Sequence, residues 1–183
     1  DRAALQARIL DLRGARGAHD PVIIKVDGVY YRFSTGPGIL IGCSPDMIKW
    51  SDCGRVFSRL PISAYKSVPE VGDLWAPDIS YVNGKYRLYY SASTFGSNKS
   101  AIALATNVTL DATRKDYKWV DEGVVFESRP NNSYNAIDPN YVAAADGAAW
   151  LAFGSYWTGI KLLQLDPVSG KALPDARLHA LAT

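Results

Sequence analysis

The sequence predicts an all-β protein in which one four-stranded unit is repeated about three times. Three observations predict it. The turn dipeptides Asp27-Gly28, Asn83-Gly84 and Asp146-Gly147 each separate two strand-like runs. An Asp beside a Pro stands ahead of each hairpin, at Asp20, Asp78 and Asp138. These Asp residues recur at intervals of 58 and then 60 residues, more chain than one hairpin uses. A fixed period of several strands is the mark of radial repetition, a β-propeller, whose blades pack face to face around an axis.

Asp-Gly and Asn-Gly tolerate positive φ at both centres of a type I′ turn. In the first unit Val22, Ile23, Ile24 and Val26 precede the turn, and Val29, Tyr30, Tyr31 and Phe33 follow it. Such runs read as buried or half-buried strands. Further strand candidates are Gly38–Gly42, Ile102–Ala105 and Ile160–Leu165. In the first two units a tryptophan segment follows ("DMIKWSDCGRVF", "DYKWVDEGVVF") and supplies a fourth strand. The first strand of a blade lines the axis, so Asp20, Asp78 and Asp138 are expected to converge on one depression. An Asp beside Pro also starts turns simply by accepting a backbone N–H. Recurrence in register favours shared chemistry, and Asp78, whose Pro precedes it, fits both readings.

The 183 residues are 48% hydrophobic with a net charge of +2, which suits a soluble globular protein and implies no attraction to nucleic acid or membrane. No apolar run approaches the roughly 18 residues that cross a bilayer. No signal-peptide core opens the chain. Eleven Tyr and five Trp are many for this length. Most belong in a β core; a minority at a cleft would stack on the C–H faces of a sugar. Cys43 and Cys53 bracket a turn and read as a disulfide, with two reduced core thiols as the alternative. Asn98, Asn107 and Asn131 head N-x-S/T sequons, which permit glycosylation. Together these features favour a secreted, extracellular protein whose signal segment has been removed. Residues 1–17 stand apart: Leu5, Ile9 and Leu12 fit an N-terminal arm or short helix, or an edge segment packed on the sheet, ended by Gly14 and Gly17. Residues 18–183 form the partial propeller.

The stretches "AHDP" at 18–21, "WAPDI" at 75–79, "NAIDPN" at 135–140 and "FGSYWTGI" at 153–160 resemble glycoside hydrolase family 43, specifically its endo-α-1,5-L-arabinanases. The resemblance implies a five-bladed β-propeller, of which this chain supplies about three blades. It implies hydrolysis of internal α-1,5 links of arabinan, or of arabino-oligosaccharides, with inversion. Carried over by motif, Asp20 matches the general base. Asp138 matches the carboxylate that adjusts and orients the general acid. Trp75 and Phe95 match aromatics at the cleavage subsite, and His19, Asp78, Asn135 and Ser155 match polar lining residues. The family's acid is a glutamate in a later blade, beyond Thr183. Glu70, Glu122 and Glu127 stand in no matching motif. No cofactor is required for the chemistry. The resemblance admits a calcium ion on the axis, with ligands outside this chain, and His179 in the polar tail is expected at the surface.

About three blades leave the faces of the first and last exposed, so a complementary propeller fragment or a second copy of the chain is the expected partner. Two other readings stay open: a noncatalytic sugar-binding propeller fragment, and a family 43 enzyme acting on arabinoxylan or xylo-oligosaccharides.

Overall fold

The computed structural model describes residues 12–182, which form thirteen strands and one short helix in three sheets. The first sheet holds β1 (Arg13–Gly14), β2 (Val22–Val26), β3 (Val29–Ser34), β4 (Leu40–Ser44) and β5 (Lys49–Arg55), in the order β1-β5-β4-β3-β2. Helix α1 (Ile62–Ser67) leads to the second sheet of β6 (Leu74–Val82), β7 (Lys85–Ala92), β8 (Ser100–Asn107) and β9 (Val120–Ser128). The third holds β10 (Asn140–Ala143), β11 (Ala149–Phe153), β12 (Lys161–Leu165) and β13 (Leu178–Ala180). Each four-strand unit is an antiparallel meander in chain order, as the repeat predicts.

The first two hairpins turn as their dipeptides demand, with φ of +48° and +84° at Asp27-Gly28 and +52° and +77° at Asn83-Gly84. The third differs. Only Gly147 is left-handed, at +87°, and Gly147 N–H donates to the Ala144 carbonyl (3.0 Å). A three-residue loop with a glycine bulge replaces the two-residue turn. The fourth strand of this sheet is the three-residue β13, inside the polar tail. There His179 is exposed and meets the edge of Trp150 at 6.0 Å between centroids. Among residues 1–17, Arg13–Gly14 packs as an edge strand, pairing in parallel with Lys49 and Trp50. The expected helix around Leu5 and Ile9 lies outside the described residues.

Two cores fix the stacking. The second sheet is buried on both faces: Leu88, Tyr90, Ala101, Ala103 and Ala105 face Phe33, Ile39 and Ile41 of the first sheet. Tyr89, Ile102 and Leu104 face Leu151, Phe153, Leu163 and Leu165 of the third. Period-two alternation along β8 serves both sides, so the strand reads as an unbroken apolar run. Polar clamps reinforce the second boundary. Arg87, 4% exposed, donates to the carbonyls of Pro167 (3.1 Å) and Val168, and Tyr89 donates to that of Gly170 (2.9 Å). Lys171 Nζ binds the carbonyls of Glu122, Gly123 and Val124 at 2.6, 2.7 and 3.0 Å.

The far face of the first sheet is not the apolar plane expected of an open blade. Lys25 lies over Tyr30 (4.7 Å), and Arg32 lies over Trp50 (4.9 Å). Arg32 also donates to the carbonyls of Ala15, Arg16 and Gly17, so the arm before Asp20 crosses this face at Arg32, while Ile23 stays exposed. Long cationic stems cover apolar surface while their heads stay paired.

Cys43 and Cys53 form the expected disulfide between β4 and β5, with Cα atoms 5.8 Å apart. Two of the three sequon asparagines are buried. Asn98 is 6% exposed and donates Nδ2 to the carbonyls of Arg129, Asn132 and Tyr134. Asn107 is 2% exposed, and its Oδ1 caps the amides of Thr109 and Lys118. Both amides are structural, so a glycan on either would displace the interior. Asn131 is the sequon Asn with an exposed side chain.

Candidate functional site

The innermost strands β2, β6 and β10 begin beside one another, and each is preceded or opened by a residue immediately before a proline. Those residues are Asp20, Ala76 and Asp138, with φ of +47°, +40° and +56°. Left-handed backbone is uncommon outside glycine, most tolerable for Asn and Asp, and persists where surrounding bonds over-determine it. Here a hydroxyl from the preceding sheet takes the amide: Ala76 N–H donates to Thr35 Oγ1 (2.8 Å), and Asp138 N–H to Ser91 Oγ (2.9 Å).

This geometry corrects the sequence register. The structural equivalent of Asp20 and Asp138 in the second sheet is Ala76, not Asp78. Asp78 does not line the cleft; it accepts the amide of Tyr141 (2.7 Å) and Asn140 Nδ2 (3.3 Å), joining β6 to β10. Burial pushes its carboxyl up, against the lowering effect of those two bonds. The sequence signal was available: Asp20 and Ala76 each stand seven residues ahead of their turn's Asp27 or Asn83, and Asp78 does not.

The converging ends enclose a cleft of 1020 Å³ lined by His19, Asp20, Trp75, Phe95, Asn135, Asp138 and Ser155, all expected from the sequence. It is also lined by Thr35, Thr94, Ser97, Tyr156 and Trp157, which sequence reasoning did not single out. Phe95 is 100% exposed and Tyr156 86% exposed, and Trp157 is also exposed, so apolar rings stand in water around the mouth. Exposed aromatics clustered at a cleft mark a binding surface. Tyr156 and Trp157 sit in the quoted motif "FGSYWTGI", where their loop position was the missed signal. The walls are tied together. Asn135, 3% exposed, donates to the Ser97 carbonyl (3.3 Å), and Ser128 Oγ accepts Ala136 N–H (2.8 Å) while donating to the Asn98 carbonyl (2.6 Å).

Asp20 Oδ2 accepts from Thr35 Oγ1 (2.9 Å), and His19 Nδ1 lies 2.7 Å from the same oxygen. Asp138 remains open to the cleft at its surface, but the walls crowd its carboxyl. Desolvation, and then the charge of Asp20, push it above the ordinary aspartate value. Two carboxyl groups from the first and third sheets thus share one cleft, close enough to act on the same reacting group. Among the described residues no group of three or more His, Cys, Asp or Glu side chains gathers as a metal site.

Residues 15–182 match the glycosyl hydrolases family 43. The chain is 44% identical over 170 residues to an extracellular endo-α-1,5-L-arabinanase of Bacillus subtilis, covering 90% of this chain and 50% of that protein. It is 42% identical over 166 residues to an extracellular exo-α-1,5-L-arabinofuranosidase of Cellvibrio japonicus, covering 90% and 48%. Among solved structures, a Cellvibrio cellulosa α-L-arabinanase complexed with arabinohexaose superimposes with a TM-score of 0.87 at 41% identity, over 90% of this chain and 53% of that one. An endo-arabinanase of Bacillus licheniformis gives 0.87 at 41% identity, over 94% and 59%. The chain thus spans about half the length of the curated relatives it matches. A match running from the arm at residue 15 to the end of the third sheet, with both cleft aspartates inside it, leads to one conclusion: the chain belongs to glycosyl hydrolases family 43.

Proposed function

We propose that this chain is the base-bearing part of an inverting glycoside hydrolase that cleaves α-1,5-L-arabinofuranosidic bonds of arabinan, within a five-bladed propeller. The observation that carries the reading is the pairing of Asp20 and Asp138 in one aromatic-rimmed cleft, near enough that the charge of Asp20 is felt at the Asp138 carboxyl. Asp20 takes a proton from water as the oxygen attacks the anomeric carbon. The glycosidic C–O bond breaks on the opposite face, and its oxygen takes a proton from an acid supplied outside the described residues. Inverting enzymes hold base and acid about 6.5–9.5 Å apart so that water fits between them. Asp138 acts on that acid, raising its pKa as a neighbouring negative charge does. Trp75, Phe95, Tyr156 and Trp157 offer ring faces to the furanose units, and His19, Asn135 and Ser155 offer polar contacts. The relatives named extracellular support secretion. One has an exo-acting name and the other an endo-acting one, so the internal cleavage proposed here rests on the motif resemblance.

The test is a substrate panel with the full-length polypeptide that carries these residues. Linear α-1,5-arabinan should be shortened, with arabinoxylan and xylo-oligosaccharides left intact. Hydrolysis of arabinoxylan alone would move the substrate to the second branch of the family. Binding of arabinan without cleavage would favour a noncatalytic sugar-binding propeller.

A further inference from the structure

Thr35 follows β3 directly, and its hydroxyl is shared between two sheets. It accepts the amide of Ala76 (2.8 Å) from the second sheet and donates to Asp20 Oδ2 (2.9 Å) in its own. A threonine hydroxyl has one hydrogen, and a carboxylate only accepts. With Ala76 N–H occupying a lone pair, that hydrogen has one destination, and the rotor is fixed. His19 Nδ1 lies on the same carboxylate oxygen, at 2.7 Å. Both partners therefore fall on Oδ2, and among the described residues Oδ1 has none. Ser91, at the matching position of the second sheet, latches the next sheet by accepting Asp138 N–H. The latch between sheets needs only that acceptor, so the bond from Thr35 to Asp20 is additional to it. In the third sheet the position is Gly154, with no hydroxyl at all.

We infer that Thr35 is a positioning residue for the reaction: it pins the Asp20 carboxylate by Oδ2, leaving Oδ1 to take the proton of the attacking water. This rests on the reading of Asp20 as general base. Through Ala76 the same hydroxyl keys the base to the second sheet, whose Trp75 and Phe95 line the cleft. A carboxylate held by one oxygen keeps its other lone pairs aimed at one place, and small misplacements of a reacting group cost as much as 10²-fold.

The test uses the full-length polypeptide and linear α-1,5-arabinan. Thr35→Val removes the hydroxyl at nearly constant volume and is expected to lower kcat about 10–100-fold, with KM within about twofold. Thr35→Ser, which keeps both bonds, should stay within about threefold of wild type. In an Asp20→Asn background, Thr35→Val should lower the residual kcat by less than about twofold, because residues acting as one unit are not additive. Should Thr35→Val fail to fold, Thr35→Cys carries the same comparison, with a weak donor in place of the hydroxyl. Wild-type kcat in the folded Val or Cys variant would overturn the inference. So would a loss that recurs undiminished in the Asp20→Asn background, since that loss would be structural. Wild-type turnover by Asp20→Asn itself would instead remove the base assignment, a distinct failure.

Discussion

Asp20→Asn is expected to lower turnover of linear α-1,5-arabinan by about 10²–10⁴-fold, the range that general-base assistance contributes, with little change in binding. The asparagine isolates the chemistry. Asp20 has φ of +47° ahead of Pro21, a conformation that Asn tolerates and Ala does not favour. The amide oxygen of Asn also remains able to accept the Thr35 hydroxyl that now binds Oδ2. What disappears is the negative charge and the capacity to take a proton. A comparable loss seen only with Asp20→Ala would implicate the backbone. Loss with Asn implicates the base. Turnover of Asp20→Asn equal to wild type would remove Asp20 from the mechanism.

Asp138→Asn is expected to act in two opposite directions. Turnover falls by about 10²-fold or more, because the acid loses the neighbouring charge that keeps it protonated. The alkaline limb of the rate profile should move to lower pH for the same reason. Stability rises at neutral pH. The Asp138 carboxyl is raised in the folded chain, by desolvation first and Asp20 second. Folding therefore favours its protonated form. That contribution is complete below the ordinary aspartate value near 4 and is lost as pH rises through the raised value. Above it, ionised Asp138 opposes the folded state, and the neutral amide does not. The melting temperature of Asp138→Asn should thus exceed wild type at neutral pH and converge with it in acid. Its φ of +56° suits Asn, and the amide bond to Ser91 comes from the backbone, so neither is disturbed. A variant less stable than wild type at neutral pH would contradict the electrostatic account. Such a trade of stability against activity is common where a site is held in a strained or charged state.

Much of the fold was legible because it is written in short-range chemistry. Asp-Gly and Asn-Gly turns, alternating apolar runs and a near-constant period gave three four-strand units, and the pair Cys43–Cys53 lies where its spacing placed it. What escaped depends on neighbours in other sheets. Asp78 misplaces the register of the second unit, because Asp beside Pro is itself a turn signal. The position is defined by left-handed backbone ahead of Pro, and Ala76 holds it. β13 was hidden because three residues carry no periodicity, and its pairing with Lys161, Leu162 and Leu163 is a tertiary fact. Asn98 looks like an exposed sequon, since nothing local says that its amide satisfies carbonyls more than 30 residues away, and the burial of Asn107 comes from the sheet around it although one of its bonds, to Thr109 N–H, is local. Thr35 carries no motif at all. Its importance lies in two bonds, one across 15 residues to Asp20 and one across 41 to Ala76.

The central claim, that Asp20 directs water to the face opposite the leaving group, is tested most directly by the configuration of the first product. Linear α-1,5-arabinan incubated with the full-length polypeptide and followed by proton NMR from the first minutes should show β-L-arabinofuranosyl reducing ends first. The α anomer should then grow in only as mutarotation proceeds. Initial appearance of the α anomer would mean net retention, with a carboxylate attacking carbon rather than water, and would contradict the account.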